Sequence, residues 1–300
     1  MIRSRVLLAL CILVLPAAAA TAQPASGMTV PEAALLGAVE GVTEFLPISS
    51  TGHLLVTQRL LGMQQTPAEK EAADSYAVVI QLGAILAVLA VSLRRVGGML
   101  KGLVGRDRDG LKLAGQVVLA ALPAAASGLL LEDRLKQYLF HPWPIAAALA
   151  AGGIFILVFL RRKGDEGGTK LEGMTWWTAL AVGLAQMLAL WPGVSRSLVT
   201  MAAGVLAGLT VSAAVEFSFL LGLVTLGGAT LYELVRYGDR ILSLFGWISP
   251  LVGLVVSAAT GFLAVRWMVG YLKTRSLAAF GWYRLALGVL IAVLVLAGVM

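Results

Sequence analysis

Two short polar segments interrupt apolar stretches of this chain, and they contain the residues best suited to chemistry. Glu40, Glu44 and His53 lie in or beside the first segment, and Arg196 lies in the second. An ionisable side chain at the centre of a membrane helix costs about 2.5–3.5 kcal/mol on insertion scales, so such residues are functional by default. Their occurrence in apolar surroundings predicts a buried polar site.

The two carboxylates predict a cation site. Glu40 and Glu44 are four residues apart, so a helix places both on one face. Neighbouring carboxylates repel each other, and a bound Mg²⁺ or Ca²⁺ relieves the repulsion. Two alternatives stay open: one carboxylate keeps a proton, or both face a water-filled vestibule that solvates them.

Both segments contain hydroxyl side chains at the expected start of a new helix. These are Ser49, Ser50 and Thr51 in the first segment and Ser195 and Ser197 in the second. Helix N-termini present free N–H groups and a positive dipole end, which together bind phosphate. With the Arg196 guanidinium added, the two segments predict a strong phosphate site, although helix capping alone would account for the serines.

The composition indicates that membrane helices position these residues. Hydrophobic residues make up 59% of the chain and charged residues 13%, against about 25% charged in soluble domains. Six apolar runs are long enough to cross a bilayer: 76–93, 113–131, 144–160, 214–235, 248–268 and 283–300. The formal charge of +7 comes from lysines and arginines in loops, with no basic stripe that would predict nucleic-acid binding.

Two further apolar stretches, about 31–62 and 175–209, are broken in the middle by Pro47 and Pro192. Proline ends a helix, and the serine or threonine that follows caps the next one. Each stretch is therefore predicted to form a re-entrant pair, in which two short helices enter the membrane and return to the same side. Such a turn must be enclosed by protein or by a water-filled cavity.

The distribution of basic residues predicts the orientation in the membrane. The loops 94–112, 161–174 and 266–284 hold fourteen lysines and arginines, and the opposite loops hold six. Because basic loops stay in the cytoplasm, residue 30, the C-terminus and the polar site should face the outside of the cell.

The first residues are typical of a secretory leader. Arg3 and Arg5 precede an apolar run, and Ala20-Thr21-Ala22 has the pattern of a cleavage site. Residues 1–22, which include the single cysteine, are therefore predicted to be a signal peptide, and residues 23–300 to be one membrane domain. An uncleaved extra helix is the alternative.

The membrane domain resolves into two similar halves, about 28–160 and 174–300. Each half has a proline break followed by a serine and then a long apolar run, and counting from the prolines makes Ser50 and Ser195 equivalent. In the predicted topology the broken segments enter from opposite sides, which defines an inverted repeat with its site near the midplane. The predicted fold is all-α, with six transmembrane helices plus two re-entrant helix pairs.

The polar segments resemble the signatures of a known family. The sequence from Glu40 to His53, EGVTEFLPISSTGH, is similar to the first signature of the bacterial undecaprenyl-diphosphatases of the bacitracin-resistance type. The segment Pro192-Gly-Val-Ser-Arg-Ser197, followed by Thr200, resembles the second. The resemblance covers about residues 28–300. It implies an inner-membrane hydrolase that uses a divalent cation to convert undecaprenyl diphosphate to the monophosphate carrier of cell-wall synthesis.

The resemblance implies a role for each of these residues. The phosphate ligands would be Ser49, Thr51, Ser195, Arg196 and Ser197, together with N–H groups of the half-helices. Ser50 is the candidate nucleophile, and His53, three residues on, or Glu44 would take its proton. Direct attack by a water that His53 activates is the alternative. Glu40 and Glu44 would coordinate Mg²⁺ or Ca²⁺.

A transporter is the alternative from a different class, because secondary transporters also combine inverted repeats with broken helices. Such a protein would move the lipid carrier or an anion and would need no nucleophile. The close spacing of Ser50 and His53 beside two carboxylates favours hydrolysis. The expected partners are bilayer lipids and a polyprenyl diphosphate lipid, and the sequence leaves open whether the chain forms a homo-oligomer.

Overall fold

The computed structural model describes residues 28–63, 67–160 and 167–299. The helices within them are α1 (Val30–Thr43), α2 (Ser50–Leu60), α3 (Pro67–Leu103), α4 (Arg108–Leu139), α5 (Pro142–Phe159), α6 (Trp176–Gln186), α7 (Arg196–Leu206), α8 (Val211–Phe245), α9 (Ile248–Leu272) and α10 (Ala278–Leu296). Six of these, α3, α4, α5, α8, α9 and α10, are long and apolar enough to cross a membrane, which confirms the six predicted spans. The predicted leader, residues 1–22, lies outside the described residues.

Both broken stretches form two short helices around a non-helical turn. α1 ends at Thr43, four residues before Pro47, and α2 begins at Ser50. α6 continues as a 3₁₀ turn, Met187–Leu190, before Pro192 and the start of α7. Each turn leaves backbone carbonyls without helical partners, so surrounding elements must supply donors to them.

Glycines allow the helices of the first half to approach each other closely. Gly37 and Gly41 of α1 lie against the backbone of α9, and a β-carbon at either position would overlap α9 atoms at Gly253 or Gly261. Gly83 of α3 lies against α9 in the same way. In a membrane, where apolar side chains gain nothing by leaving lipid, such backbone packing holds helices together. α9 therefore holds α1 in place beside α3.

The segment predicted as loop 266–284 is shorter than expected. α9 extends to Leu272 and α10 begins at Ala278, so Arg284 lies inside a membrane-spanning helix and is fully buried. Counting Arg284 as a loop charge was therefore wrong. The remaining bias of basic residues toward that side is still large.

Candidate active site

The non-helical turns of the two broken stretches, residues 44–49 and 191–195, are called the helix interruptions below. They meet inside the molecule, and each is followed by a helix that a serine caps. Ser49 caps α2 and Ser195 caps α7, and the hydroxyl of each accepts a hydrogen bond from the N–H three residues on. Both residues have positive φ, 69° and 75°. Ser49 is thus the counterpart of Ser195, and the expected equivalence of Ser50 with Ser195 is wrong. The first turn has one residue fewer between proline and cap, so Ser50 corresponds to Arg196.

Ser50, Glu44 and Arg196 form the centre of the site. Ser50 Oγ donates to Glu44 Oε2 at 2.5 Å, and Arg196 Nη2 donates to Glu44 Oε1 at 3.1 Å. The Arg196 and Glu44 side chains are only 9% and 7% exposed, so bulk water hardly screens their ion pair. A hydrogen bond to a carboxylate polarises the serine hydroxyl. The three side chains can act as nucleophile, base and phosphate ligand.

The Arg196 guanidinium is fixed by its surroundings. Nη1 donates to the Ser218 carbonyl at 3.2 Å, and the guanidinium carbon lies 4.7 Å from the centre of the Phe45 ring. Gly222 leaves room for the group, because a β-carbon there would overlap it. Nε is buried and has no hydrogen-bond partner among the described residues. The aromatic contact orients the planar fork, and Nε–H remains as a donor for a ligand.

His53 has different partners from those expected of a base for Ser50. Its Nδ1 lies 2.7 Å from the Ser49 carbonyl oxygen and its Nε2 lies 2.6 Å from the Tyr283 hydroxyl. A carbonyl can only accept, so Nδ1 carries a proton and Nε2 of the neutral ring accepts from Tyr283. Both ring nitrogens are engaged away from Ser50. Of the two bases predicted for Ser50, the structure pairs Glu44 with the serine.

Glu40 is buried beside Glu44 and Arg196. Its Oε2 has no hydrogen-bond partner in the described part of the chain, whereas both oxygens of Glu44 are engaged. Groups of three or more His, Cys, Asp or Glu side chains that could enclose a metal are absent from residues 28–63, 67–160 and 167–299. Glu40 and Glu44 are the residues here that could hold a divalent cation, with substrate and water oxygens as its other ligands.

The remaining predicted phosphate ligands differ in their positions. Ser195 Oγ and Ser197 Oγ are 3.0 Å apart, and Ser197 donates to the Leu46 carbonyl at 2.8 Å. The bond from Ser197 to Leu46 joins the start of α7 to the first interruption, so the Ser197 hydroxyl connects the two broken stretches. Thr51 is exposed in the first turn of α2.

Tyr283 and Arg284 of α10 join the site, although neither was predicted to do so. Tyr283 contacts His53, and Arg284 is fully buried. The Arg284 guanidinium donates to the carbonyls of Pro47, Ala148, Gly193 and Val194. Span length is the signal that could have found them. The run 283–300 is slightly short for a span, which takes about 20 residues, and extending it toward the N-terminus moves Tyr283 and Arg284 from its end into its interior.

Comparison with known proteins confirms the family resemblance. The family model "Bacitracin resistance protein BacA" matches residues 33–290, a range that contains the whole site. An undecaprenyl-diphosphatase of Sorangium cellulosum is 47% identical over 264 residues, which cover 87% of this chain and 84% of the relative. Undecaprenyl-diphosphatase 1 of Chromobacterium violaceum is 41% identical, with 86% and 93% covered. An undecaprenyl-diphosphatase of Deinococcus radiodurans is 42% identical, with 89% and 95% covered. The chain therefore belongs to the BacA family of bacitracin resistance proteins.

Proposed function

We propose that this protein hydrolyses undecaprenyl diphosphate to undecaprenyl phosphate and inorganic phosphate. The contact of Ser50 with Glu44 carries the proposal, because the other oxygen of the same carboxylate binds Arg196. A hydroxyl, a base and a guanidinium so arranged supply what phosphoryl transfer from a diphosphate needs. The name of the relatives, undecaprenyl-diphosphatase, supports this choice of substrate.

In the first step Ser50 Oγ attacks the terminal phosphorus while its proton passes to Glu44. The bond between that phosphorus and the bridging oxygen breaks, and undecaprenyl phosphate leaves. Arg196 and the N-terminal N–H groups of α2 and α7 stabilise the charge on the phosphate oxygens. The result is a phosphoserine at Ser50 and the lipid monophosphate.

In the second step water attacks the phosphoserine, and the bond from phosphorus to Ser50 Oγ breaks. Glu44 returns its proton to the serine, and the proton of the water leaves with inorganic phosphate. If His53 activates this water, His53→Ala accumulates the phosphoserine. Direct attack by water on the diphosphate is the alternative, in which Ser50 forms no covalent bond and only donates to Glu44.

A divalent cation, Mg²⁺ or Ca²⁺, belongs to this proposal. Glu40 would hold it through its unpartnered oxygen, together with Glu44 and oxygens of the diphosphate. When bound, the ion would neutralise charge on the diphosphate.

We also propose that the site faces the outside of the bacterial inner membrane, within an inverted repeat of two re-entrant helix pairs. The matching caps at Ser49 and Ser195 support the repeat, and the excess of basic residues on the opposite side supports the orientation. In that position the enzyme would recycle the lipid carrier of cell-wall synthesis, and this activity would confer resistance to bacitracin.

Phosphate release by the purified protein in detergent tests the proposal, because transport across a membrane is impossible there. We expect release from undecaprenyl diphosphate in the presence of Mg²⁺ or Ca²⁺. No release under these conditions would leave the transporter as the better interpretation.

Rapid acid quenching with substrate labelled at the terminal phosphate tests the mechanism. We expect label on a peptide containing residues 47–59 and no turnover by Ser50→Ala. Ser49→Gly is the matched control, because glycine accepts the positive φ at this position, and it should retain most activity. An unlabelled peptide together with turnover by Ser50→Ala would establish direct attack by water.

A further inference from the structure

We infer that Tyr283 and Arg284 are positioning residues, which align the two helix interruptions so that Ser50 and Arg196 face one phosphate. Tyr283 acts through His53, and Arg284 acts through backbone carbonyls on both interruptions. The inference rests on the proposed hydrolysis, and it gives α10 a role in that reaction.

Arg284 connects the two interruptions directly. Its Nη1 donates to the Pro47 carbonyl at 3.4 Å, and its Nη2 donates to Gly193 at 2.8 Å and Val194 at 3.1 Å. A fourth carbonyl, that of Ala148 in α5, lies 3.1 Å from Nη2. Carbonyls at a broken helix lack their usual N–H partners and need other donors in a membrane. One planar guanidinium supplies donors to both breaks and so fixes the distance between them.

The space around Arg284 is shaped for this guanidinium. Gly152 of α5 faces the group, and a β-carbon there would overlap it. None of the described residues places a carboxylate within ion-pair distance of Arg284. A buried cation without a counterion is expensive in a membrane, and such residues are retained for a specific task.

Tyr283 fixes the residue that precedes the nucleophile. Its hydroxyl lies 2.6 Å from His53 Nε2, and its ring stacks on the imidazole with centroids 5.5 Å apart. The other nitrogen of His53 donates to the Ser49 carbonyl at 2.7 Å. Ser49 has positive φ, an unfavourable conformation that surrounding contacts must hold. Tyr283, His53 and Ser49 thus form a chain of contacts that ends next to Ser50.

Tyr283 and Arg284, which are consecutive residues of α10, therefore hold the starts of both α2 and α7. A misplacement of about 1 Å between reacting groups lowers turnover by about 100-fold, even when its cause lies far from the chemistry. Misalignment should lower kcat more than it raises KM, because contacts of the lipid tail with the apolar helices are unaffected.

A double-mutant cycle between Arg284→Met and Gly152→Ala tests the inference. Each change should lower kcat in detergent by about 100-fold with little change in KM. The double variant should be no worse than Arg284→Met alone, because both changes remove the same contact. Gly227→Ala in α8 is the control, since nothing lies within 4 Å of a β-carbon there, and it should leave kcat unchanged.

Tyr283→Phe provides a second, milder measurement. It retains the ring that stacks on His53 and removes only the hydroxyl, so kcat should fall by about tenfold. Parental kcat in folded Arg284→Met, or multiplicative losses in the double variant, would overturn the role of Arg284. If Arg284→Met does not fold, parental kcat in both Gly152→Ala and Tyr283→Phe would overturn the inference.

A distance measurement separates this inference from the proposed function. With Cys11 replaced, spin labels at Leu60 and Leu206 report the separation of α2 and α7, and both positions are exposed. Gly152→Ala should broaden this distance distribution whether or not the parental protein hydrolyses a diphosphate. An unchanged distribution would show that Arg284 does not align the two interruptions. An inactive parental protein with a broadened variant would contradict only the proposed hydrolysis.

Discussion

The Glu44 carboxylate accepts hydrogen bonds from two residues, through one oxygen from Ser50 and through the other from Arg196. In the proposed reaction a substrate phosphate would compete with Glu44 for the guanidinium, since both are anions that Arg binds through a fork of donors. In the proposed reaction, a phosphate that binds Arg196 would release Oε1 of Glu44, and Oε2 would keep its contact with Ser50. That release would leave the carboxylate in contact with Ser50 alone. In the proposed reaction, substrate binding by Arg196 and proton transfer from Ser50 would therefore involve the same carboxylate.

Arg196→Lys should behave almost like a deletion. Lysine offers a point charge and cannot reach Glu44, the Ser218 carbonyl and a phosphate with one planar group. We expect turnover to fall by about 10²–10³-fold, as for loss of one donor to a developing oxyanion. Phosphate release, with thermal unfolding to verify folding and the peripheral Arg59→Lys as control, measures this. Near-parental turnover in a folded Lys variant would contradict the role given to Arg196.

Glu40→Gln and Glu44→Gln should separate cation binding from base catalysis. Both should raise the concentration of Mg²⁺ or Ca²⁺ needed for half-maximal activity, because each removes a carboxylate from the pair. Only Glu44→Gln should also lower activity at saturating cation, by about 10²–10⁴-fold, because Ser50 then lacks its base. Activity titrated against each cation is the measurement. Unchanged cation dependence in both variants would show that the pair binds none.

The sequence was sufficient to identify charged residues of the site but not their contacts. Glu40, Glu44, His53 and Arg196 stand out because ionisable side chains are rare in apolar stretches. The contact of Ser50 with Glu44 depends on the path of the six-residue turn 44–49. This turn is not a regular helix, so the spacing rules for helices do not predict which of its side chains meet. The two proline turns also differ by one residue, and counting from proline therefore gave the wrong equivalence.

Among the helices, α9 depends on glycines to hold α1. Gly253 of α9 faces the Tyr76 hydroxyl, which donates to the carbonyls of Ala33 in α1 and Ser249. Tyr76 of α3 thus connects α1 to α9, and it occupies space that a β-carbon at Gly253 would fill. The stability of α1, which carries both carboxylates, should therefore depend on this position.

Gly253→Ala should destabilise the protein by about 1–3 kcal/mol, the usual cost of overpacking. The added methyl group would displace Tyr76 and break its two hydrogen bonds. Gly270→Ala in the same helix is the matched control, because its β-carbon would meet nothing within 4 Å. Thermal unfolding in detergent compares the two variants. Equal unfolding temperatures would show that the α9 contact does not limit stability.

Hydropathy located all six spans but not the full helices. α3 begins at Pro67 and ends at Leu103, well beyond the predicted run 76–93. Its ends are polar, and a search for apolar runs does not detect helix that continues past the hydrocarbon. The start of α10 at Ala278 was also missed, so Arg284 was placed at the end of a predicted span and counted with the adjoining loop.

For the whole molecule, the proposed orientation can be tested at the two ends of α4. Cys11 is the single cysteine, so replacing it allows Arg106→Cys and Tyr138→Cys to be labelled alone. An impermeant thiol reagent on intact spheroplasts should label position 138, which is exposed, and reach position 106 only after lysis. The reverse pattern would invert the topology and place the site on the cytoplasmic side.

The order of the site residues along the chain affects its synthesis. Glu44, Ser50 and Arg196 all leave the ribosome before Tyr283 and Arg284. At about 5–20 residues per second, translation from Arg196 to Arg284 takes on the order of 10 s. During that interval the nascent chain contains the proposed nucleophile, Ser50, and the proposed phosphate ligand, Arg196, but lacks α10. If Tyr283 and Arg284 align the site as inferred, activity would begin only after α10 has inserted, and a half-translated protein would be inactive toward the lipid pool around it.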